Sequence, residues 1–67
     1  MKIGHYYKHL NNREMCIRVD DVDFDGECYD VYATYYNLNY HFDIDSEEIS
    51  IRKEDINNWK EIKLDNN

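Results

Sequence analysis

Residues 14–36 read EMCIRVDDVDFDGECYDVYATYY, and the alternation of apolar and polar residues in this stretch decides the fold. Apolar side chains recur at every second position on either side of Asp25-Gly26, a dipeptide favoured in two-residue type I′ turns. The alternating residues are Met15, Ile17, Val19 and Val22 before the turn, and Tyr29, Val31, Ala33 and Tyr35 after it. The pattern predicts a long antiparallel hairpin from about residue 14 to residue 36.

The hairpin requires one irregularity. Counting outward from Asp25-Gly26, the apolar residues of the two strands share one face only if an extra residue is accommodated at Asp20-Asp21. The sequence therefore predicts a β-bulge at these two aspartates. With the bulge, a two-residue turn places Val22 opposite Tyr29 and directs the intervening residues, including Cys16, outward.

Shorter alternating segments flank the hairpin. The segments at 40–44 (YHFDI) and 48–52 (EISIR) are typical of further strands, and the N-terminal segment with two adjacent tyrosines suits a first strand or a loop. The polar stretch at 53–58 suits one short helical turn, and the segment that begins at Trp59 suits a short final strand.

These elements predict a mainly β protein, a small five-stranded SH3-like barrel whose closure removes most exposed sheet edges. A chain of 67 residues suffices for one domain. We expect residues 1–64 to form this single SH3-like domain and residues 65–67 to form a flexible tail.

Charge and composition narrow the class of protein. Acidic residues number 15 against 8 basic residues, for a formal charge of −7, which repels nucleic-acid phosphates and anionic membranes and attracts a basic partner surface. We therefore expect a protein partner with a basic surface, no direct nucleic-acid binding and no membrane binding. No apolar run long enough for a transmembrane helix and no apolar N-terminal segment is present, which favours a cytoplasmic location and free thiols at both cysteines.

The ends of the chain carry a resemblance to a known class of proteins. The opening MKIGHYYKHLNN, followed by CIRV, contains a Gly-x-Tyr-Tyr-like element and a Lys-His pair, and the ending contains INNWKEI. This arrangement resembles that of small SH3-like barrel proteins, many of them encoded by phages or prophages. The resemblance covers most of the chain and implies a fold and a phage-type source. It implies no activity, because most such proteins have no assigned activity.

The acidic residues are the candidate partner-binding site. Six carboxylates fall within eleven residues around the turn, and two tyrosines of the next strand should face outward beside them. The candidates are Asp20, Asp21, Asp23, Asp25, Glu27, Asp30, Tyr32 and Tyr36. A second acidic group comprises Asp43, Asp45, Glu47 and Glu48.

Two metal sites can be weighed against these assignments. Asp21, Asp23 and Asp25, with the glycine that follows, match the first half of an EF-hand calcium loop, but Tyr32 occupies the position of the bidentate carboxylate. The histidines at positions 5 and 9 have a zinc-like spacing without a matching cysteine pair. We expect an acidic hairpin tip and structural histidines, with no cofactor.

The sequence contains no nucleophile-base pair, no glycine-rich phosphate loop and no convincing metal set, so we expect a non-enzymatic binding protein. The most specific hypothesis is a phage-type inhibitor that imitates nucleic-acid charge and docks on a basic surface of a host nucleic-acid-binding or defence protein, in the host cytoplasm. The alternatives are an SH3-like adaptor that binds a peptide or subunit through its exposed tyrosines and, more weakly, a calcium-binding module. A monomer and a homodimer are both compatible with these hypotheses.

Overall fold

The computed structural model describes residues 1–64, apart from the side chain of Arg13. Its elements, in chain order, are β1 (Tyr6–His9), β2 (Asn12–Phe24), β3 (Cys28–Asn37), β4 (Phe42–Arg52), a 3₁₀ helix (Lys53–Asn58) and β5 (Trp59–Ile62). The expected tail at 65–67 lies outside the described residues. Within residues 1–64, no helix has the length and apolar character needed to cross a membrane.

All five strands form one antiparallel sheet in the order β4-β3-β2-β1-β5. The mainly β class, the five strands and the helical turn at 53–58 are confirmed. The predicted barrel closure is not found over residues 1–64, because β4 and β5 remain the two edges of an open sheet. The strands differ in length, since β1 and β5 have 4 residues each whereas β2 has 13 and β4 has 11.

The long hairpin and its bulge are both confirmed. Strands β2 and β3 pair along most of their length, and their register shifts between Val19 and Asp21, where the sequence predicts the extra residue. On either side of the shift, Val22 lies opposite Val31 and Val19 lies opposite Ala33. The bulge therefore keeps the apolar residues of both halves of β2 on one face.

The predicted register of the turn, centred on Asp25-Gly26, is wrong. The last hairpin pair is Phe24 with Tyr29, so four residues (25–28) rather than two separate the last paired residues, and Val22 lies opposite Val31 instead of Tyr29. The side chain of Asp25 is the reason, because its Oδ1 accepts the backbone N–H groups of Glu27 at 2.8 Å and of Cys28 at 2.7 Å. The shift is two residues, so each side chain keeps its predicted face.

The core lies on one side of the sheet, as the alternation predicts. Its buried members are Tyr7, Ile17, Val19, Val31, Ala33 and Ile51. Tyr29 and Tyr35 are half-buried and pack against this cluster, as does Trp59 of β5. Strand β1 and the C-terminal part of the chain thus cover the apolar side of the long hairpin.

The two segments predicted as separate strands at 40–44 and 48–52 largely form a single strand, β4, with a register irregularity opposite Tyr35 and Tyr36. Tyr40 lies in the preceding turn, and the side chain of Ile44 is exposed. β4 therefore presents a long, solvent-facing edge to one side of the sheet.

Candidate functional site

Strands β2, β3 and β4 carry carboxylates on the side opposite the core, because successive residues of a strand point to opposite faces. We call this side the acidic face. Its acidic residues are Asp20, Asp21, Asp23, Asp30, Asp43 and Glu48. The register thus brings four of the six predicted carboxylates, together with two from β4, onto one surface.

Tyr32 occupies the middle of the acidic face. It lies opposite Asp21 on β2 and opposite Glu48 on β4, and it is 50% exposed, which is high for a large aromatic side chain in a central strand. In the adjacent row, Asp23 lies directly opposite Asp30. Side chains in such pairs are about 5 Å apart at Cβ, so these two like charges repel each other.

No salt bridge among the described side chains involves Asp21, Asp23, Asp30 or Glu48. Arg52, a basic residue at the edge of this face, contacts Glu54 at 3.9 Å, and its side chain is 74% exposed. The centre of the acidic face therefore combines an accessible aromatic ring with carboxylates that lack a cationic partner among the described residues.

The end of the acidic face near the bulge has the opposite character. The guanidinium group of Arg18 lies 2.8 Å from the carboxylate of Asp20 and 3.2 Å from that of Asp43. The hydroxyl of Thr34 donates to Asp20 and accepts from Arg18, and Ser46 lies 2.9 Å away from it. This network neutralises much of the local charge.

The pKa values follow the network. The hydrogen bond from Thr34, reinforced by Arg18, lowers the pKa of Asp20, and the Asp20 carboxylate raises the pKa of Arg18. Asp20 is one of the predicted partner-binding residues, but its carboxylate is held by two partners within the sheet. It therefore contributes less to an intermolecular contact than its neighbours do.

Two other candidates lie at the tip of the hairpin. Asp25 holds the loop through the N–H groups of Cys28 and Glu27, and these bonds lower its pKa. Glu27 is exposed at the tip. The predicted acidic set is thus divided, with Asp21, Asp23 and Asp30 at the centre of the acidic face, Asp25 and Glu27 at the tip, and Asp20 in the Arg18 network at the end of the face.

Of the two tyrosines predicted to be exposed, Tyr32 is exposed and Tyr36 is not. Tyr36 is half-buried, with its ring edge-on to that of Tyr6 at a centroid distance of 5.1 Å, and its hydroxyl lies 3.3 Å from Nδ1 of His41. Tyr36 therefore helps to hold β1 and the β3–β4 turn in place and offers little free surface.

The prediction that Cys16 faces solvent is wrong. Its side chain is on the acidic side of β2 but only 1% exposed, between Lys8 on β1 and residues of β3. Burial raises the pKa of its thiol. Cys16 and Cys28 are free thiols, as expected.

The metal hypotheses find no support in the geometry. His5 pairs with Glu61 at 3.1 Å, and the ring of His9 packs edge-on against Trp59 at 4.8 Å. Over residues 1–64, no three His, Cys, Asp or Glu side chains are arranged to hold a metal ion, the three EF-like aspartates included.

Sequence reasoning missed the role of Glu48, which it placed in a separate acidic group. The alternation within EISIR indicates that Glu48 faces away from the core, but only the β3–β4 register places it beside Tyr32. Comparisons of the chain with protein-family models, curated proteins and solved structures find no match.

Proposed function

We propose that this chain is a small, non-enzymatic binding protein that docks its acidic face on the basic surface of a protein partner. The observation that carries the proposal is the arrangement around Tyr32, an exposed ring flanked by Asp21, Asp30 and Glu48. Since Asp23 and Asp30 repel each other across the sheet, this arrangement costs stability in the free protein. An approaching lysine or arginine relieves that repulsion.

The chemistry of the site favours arginine and lysine side chains on the partner. Carboxylates accept charge-assisted hydrogen bonds from both, and the face of a tyrosine ring attracts a cation. A strand-borne array needs little reorganisation on binding, and the net charge of −7 accelerates the encounter with a basic surface. Tyr32 is the residue best placed to act as the aromatic anchor of the interface.

The most specific form of the proposal is a phage-type inhibitor. In this form the acidic face occupies a groove that normally holds DNA or RNA in a host nucleic-acid-binding or defence protein, inside the bacterial cytoplasm. The resemblance of the chain ends to small phage-encoded proteins and the paired rows of carboxylates support this reading. The strand order and the helical turn before β5 also support an SH3-like fold, which we infer to be an opened form of that barrel.

A tagged pull-down with two matched variants tests the proposal. Asp21→Asn, Asp23→Asn and Asp30→Asn together remove three charges from the acidic face. Asp45→Asn, Glu54→Gln and Asp55→Asn remove three exposed charges outside the acidic face. Bacterial lysate is treated with nuclease, and bound proteins are eluted along a salt gradient and then identified.

We expect one basic protein to be captured by the wild type and by the control variant, to be lost with the acidic-face variant, and to be displaced by duplex DNA that is added after the nuclease has been washed away. Capture of the same protein by all three chains, with unchanged salt dependence, contradicts the electrostatic proposal. Loss only on Tyr32→Ala supports the adaptor alternative instead, in which the tyrosine rather than the charge carries the affinity.

A further inference from the structure

The free edge of β4 has its own hydrogen-bonding potential. The N–H of Lys53 donates to the carbonyl of Glu27 at 2.9 Å, which fixes the alternation of the β3–β4 ladder. In an antiparallel ladder, every second residue directs both backbone groups to the neighbouring strand and the others direct them away. The N–H and C=O groups of Glu48, Ser50 and Arg52 therefore point out of the sheet.

These outward groups have no backbone partner among the described residues beyond the β3–β4 ladder. Farther along the edge, the N–H of Ser46 is bonded to the side chain of its neighbour Asp45 at 2.8 Å, so that position is already capped. The open part of the edge is consequently the five-residue segment 48–52, whose three outward residues are all exposed.

The sequence of this segment, EISIR, is complementary to itself when two copies run antiparallel. With Ser50 opposite Ser50 of a second copy, Glu48 lies opposite Arg52 of that copy, and Ile49 lies opposite Ile51. Both charge pairs are attractive, and both apolar pairs lie on the core side of the sheet. A register centred on Glu48 instead places two glutamates opposite each other, which is unfavourable.

The side-chain environment suits this register. Arg52 is 74% exposed and has only the long contact with Glu54, so its guanidinium group is available. On the core side, Ile49 and Ile51 border an open cleft of about 550 Å³ that also contacts Tyr35 and Trp59. A second strand laid along β4 covers the mouth of this cleft and shields those apolar side chains from water.

We propose that two copies of this chain form a symmetric dimer by antiparallel pairing of their β4 edges about Ser50. The three outward residues of each copy make hydrogen-bonded pairs, and the two sheets become one continuous sheet. This pairing engages Glu48 but leaves Asp21, Asp23 and Asp30 uncovered, so the inference goes beyond the proposed function and does not depend on it. A two-fold axis at a strand edge is the ordinary way in which identical surfaces complement each other.

Cysteine crosslinking tests the register directly, in a Cys28→Ser background that removes the half-buried thiol. In the dimer the two copies of residue 50 are about 5.5 Å apart at Cα, within disulfide range. The two copies of residue 46 are about 25 Å apart, at about 3.3 Å per residue. Ser50→Cys should therefore form a covalent dimer under mild oxidation, whereas Ser46→Cys, on the same exposed edge, should not.

Sedimentation analysis of charge variants provides the second measurement. Glu48→Arg places two arginines opposite each other and should weaken association at least tenfold, and adding Arg52→Glu should restore it. The inference is overturned if the wild type remains monomeric at millimolar concentration, if both cysteine variants crosslink equally, or if the double swap fails to rescue. None of these results bears on binding by the three aspartates, which the pull-down measures separately.

Discussion

The hydroxyl of Thr34 on β3 donates a hydrogen bond to the carboxylate of Asp20 on β2, across the bulge that separates the two halves of the hairpin. Thr34 is only 3% exposed, and its hydroxyl oxygen also accepts a hydrogen bond from Nη2 of Arg18 at 3.3 Å. The bulge thus gives the sheet a polar junction on the side opposite its apolar core. The stability of the hairpin should therefore depend on the side chains of Thr34, Asp20 and Arg18.

Thr34→Val should destabilise the protein by about 1–2 kcal/mol, because it removes the hydroxyl and leaves Asp20, Arg18 and Ser46 without a shared partner. Urea denaturation measures the change in the free energy of unfolding. Thr34→Ser is the control, since it keeps the hydroxyl and should cost less. Equal midpoints for the valine variant and the wild type would show that water replaces the threonine at no cost.

The pH dependence of the free energy of unfolding should show the contribution of the ionised Asp20 carboxylate. Its pKa in the folded protein lies below the ordinary value of 3.8, so its contribution is complete above that value and is lost as the pH falls through the lowered pKa. Neutralising the many surface carboxylates has the opposite effect, because it relieves repulsion. The informative quantity is therefore the difference between wild type and Asp20→Asn, which should shrink between neutral pH and about pH 2.

Urea midpoints of the two chains across that range provide the measurement. Asp45→Asn serves as a second reference for the loss of one exposed carboxylate outside the Arg18 network. A difference between wild type and Asp20→Asn that stays constant down to the acid limit would mean that Asp20 titrates normally in the fold.

Tyr35 should be among the last tyrosines to ionise. Its hydroxyl donates to Glu47, and this bond, together with burial, raises the pKa of Tyr35 to about 12. Its contribution to stability is complete below the ordinary value of 10.0 and is lost as the pH rises toward the raised one. Ultraviolet titration of Glu47→Gln should show this late step moving to lower pH.

The neighbouring change Glu48→Gln is the matched control, because Glu48 points to the opposite face of β4. It removes the same charge at almost the same place in the chain and should leave the late step unaltered. An identical effect of both changes would point to general charge repulsion instead of the specific Tyr35–Glu47 bond.

Ile17→Val should destabilise the protein by about 1 kcal/mol, because Ile17 is fully buried in the core and the change removes one methylene group. Ile44→Val makes the same chemical change at a position that is 59% exposed, and its effect on the free energy of unfolding should be close to zero. Urea denaturation curves of the two variants and the wild type give the two changes in the free energy of unfolding. Equal effects would mean that β4 packs more tightly at Ile44 than its exposure indicates.

Much of the fold could be predicted because alternation is a local property. The faces of Ile17, Val19 and Val31 follow from a period of two, and the bulge follows from the break in that period at two consecutive aspartates. The turn could not be predicted from the Asp-Gly pair alone. The choice between two and four residues between the last paired positions depends on where the Asp25 side chain places its hydrogen bonds.

Features that depend on strands distant in the chain could not be predicted from local sequence patterns. Cys16 alternates as an outward residue, yet β1 and the side chains of β3 bury it, and no local pattern indicates how closely those elements approach. Barrel closure likewise depends on the distance between β4 and β5. For the candidate site, the sequence could not separate Asp20, held by Arg18, from Asp21, which forms no salt bridge with the described side chains.

Because Asp23 lies opposite Asp30, dissolved salt should stabilise the folded protein. Counter-ions that gather between the two carboxylates weaken their repulsion in the folded state, whereas an unfolded chain keeps the same charges farther apart. The free protein is therefore at its least stable in dilute buffer, and melting temperatures from different ionic strengths are not comparable. A cationic partner acts in the same sense as salt, so part of its binding free energy comes from repulsion already present in the unbound sheet.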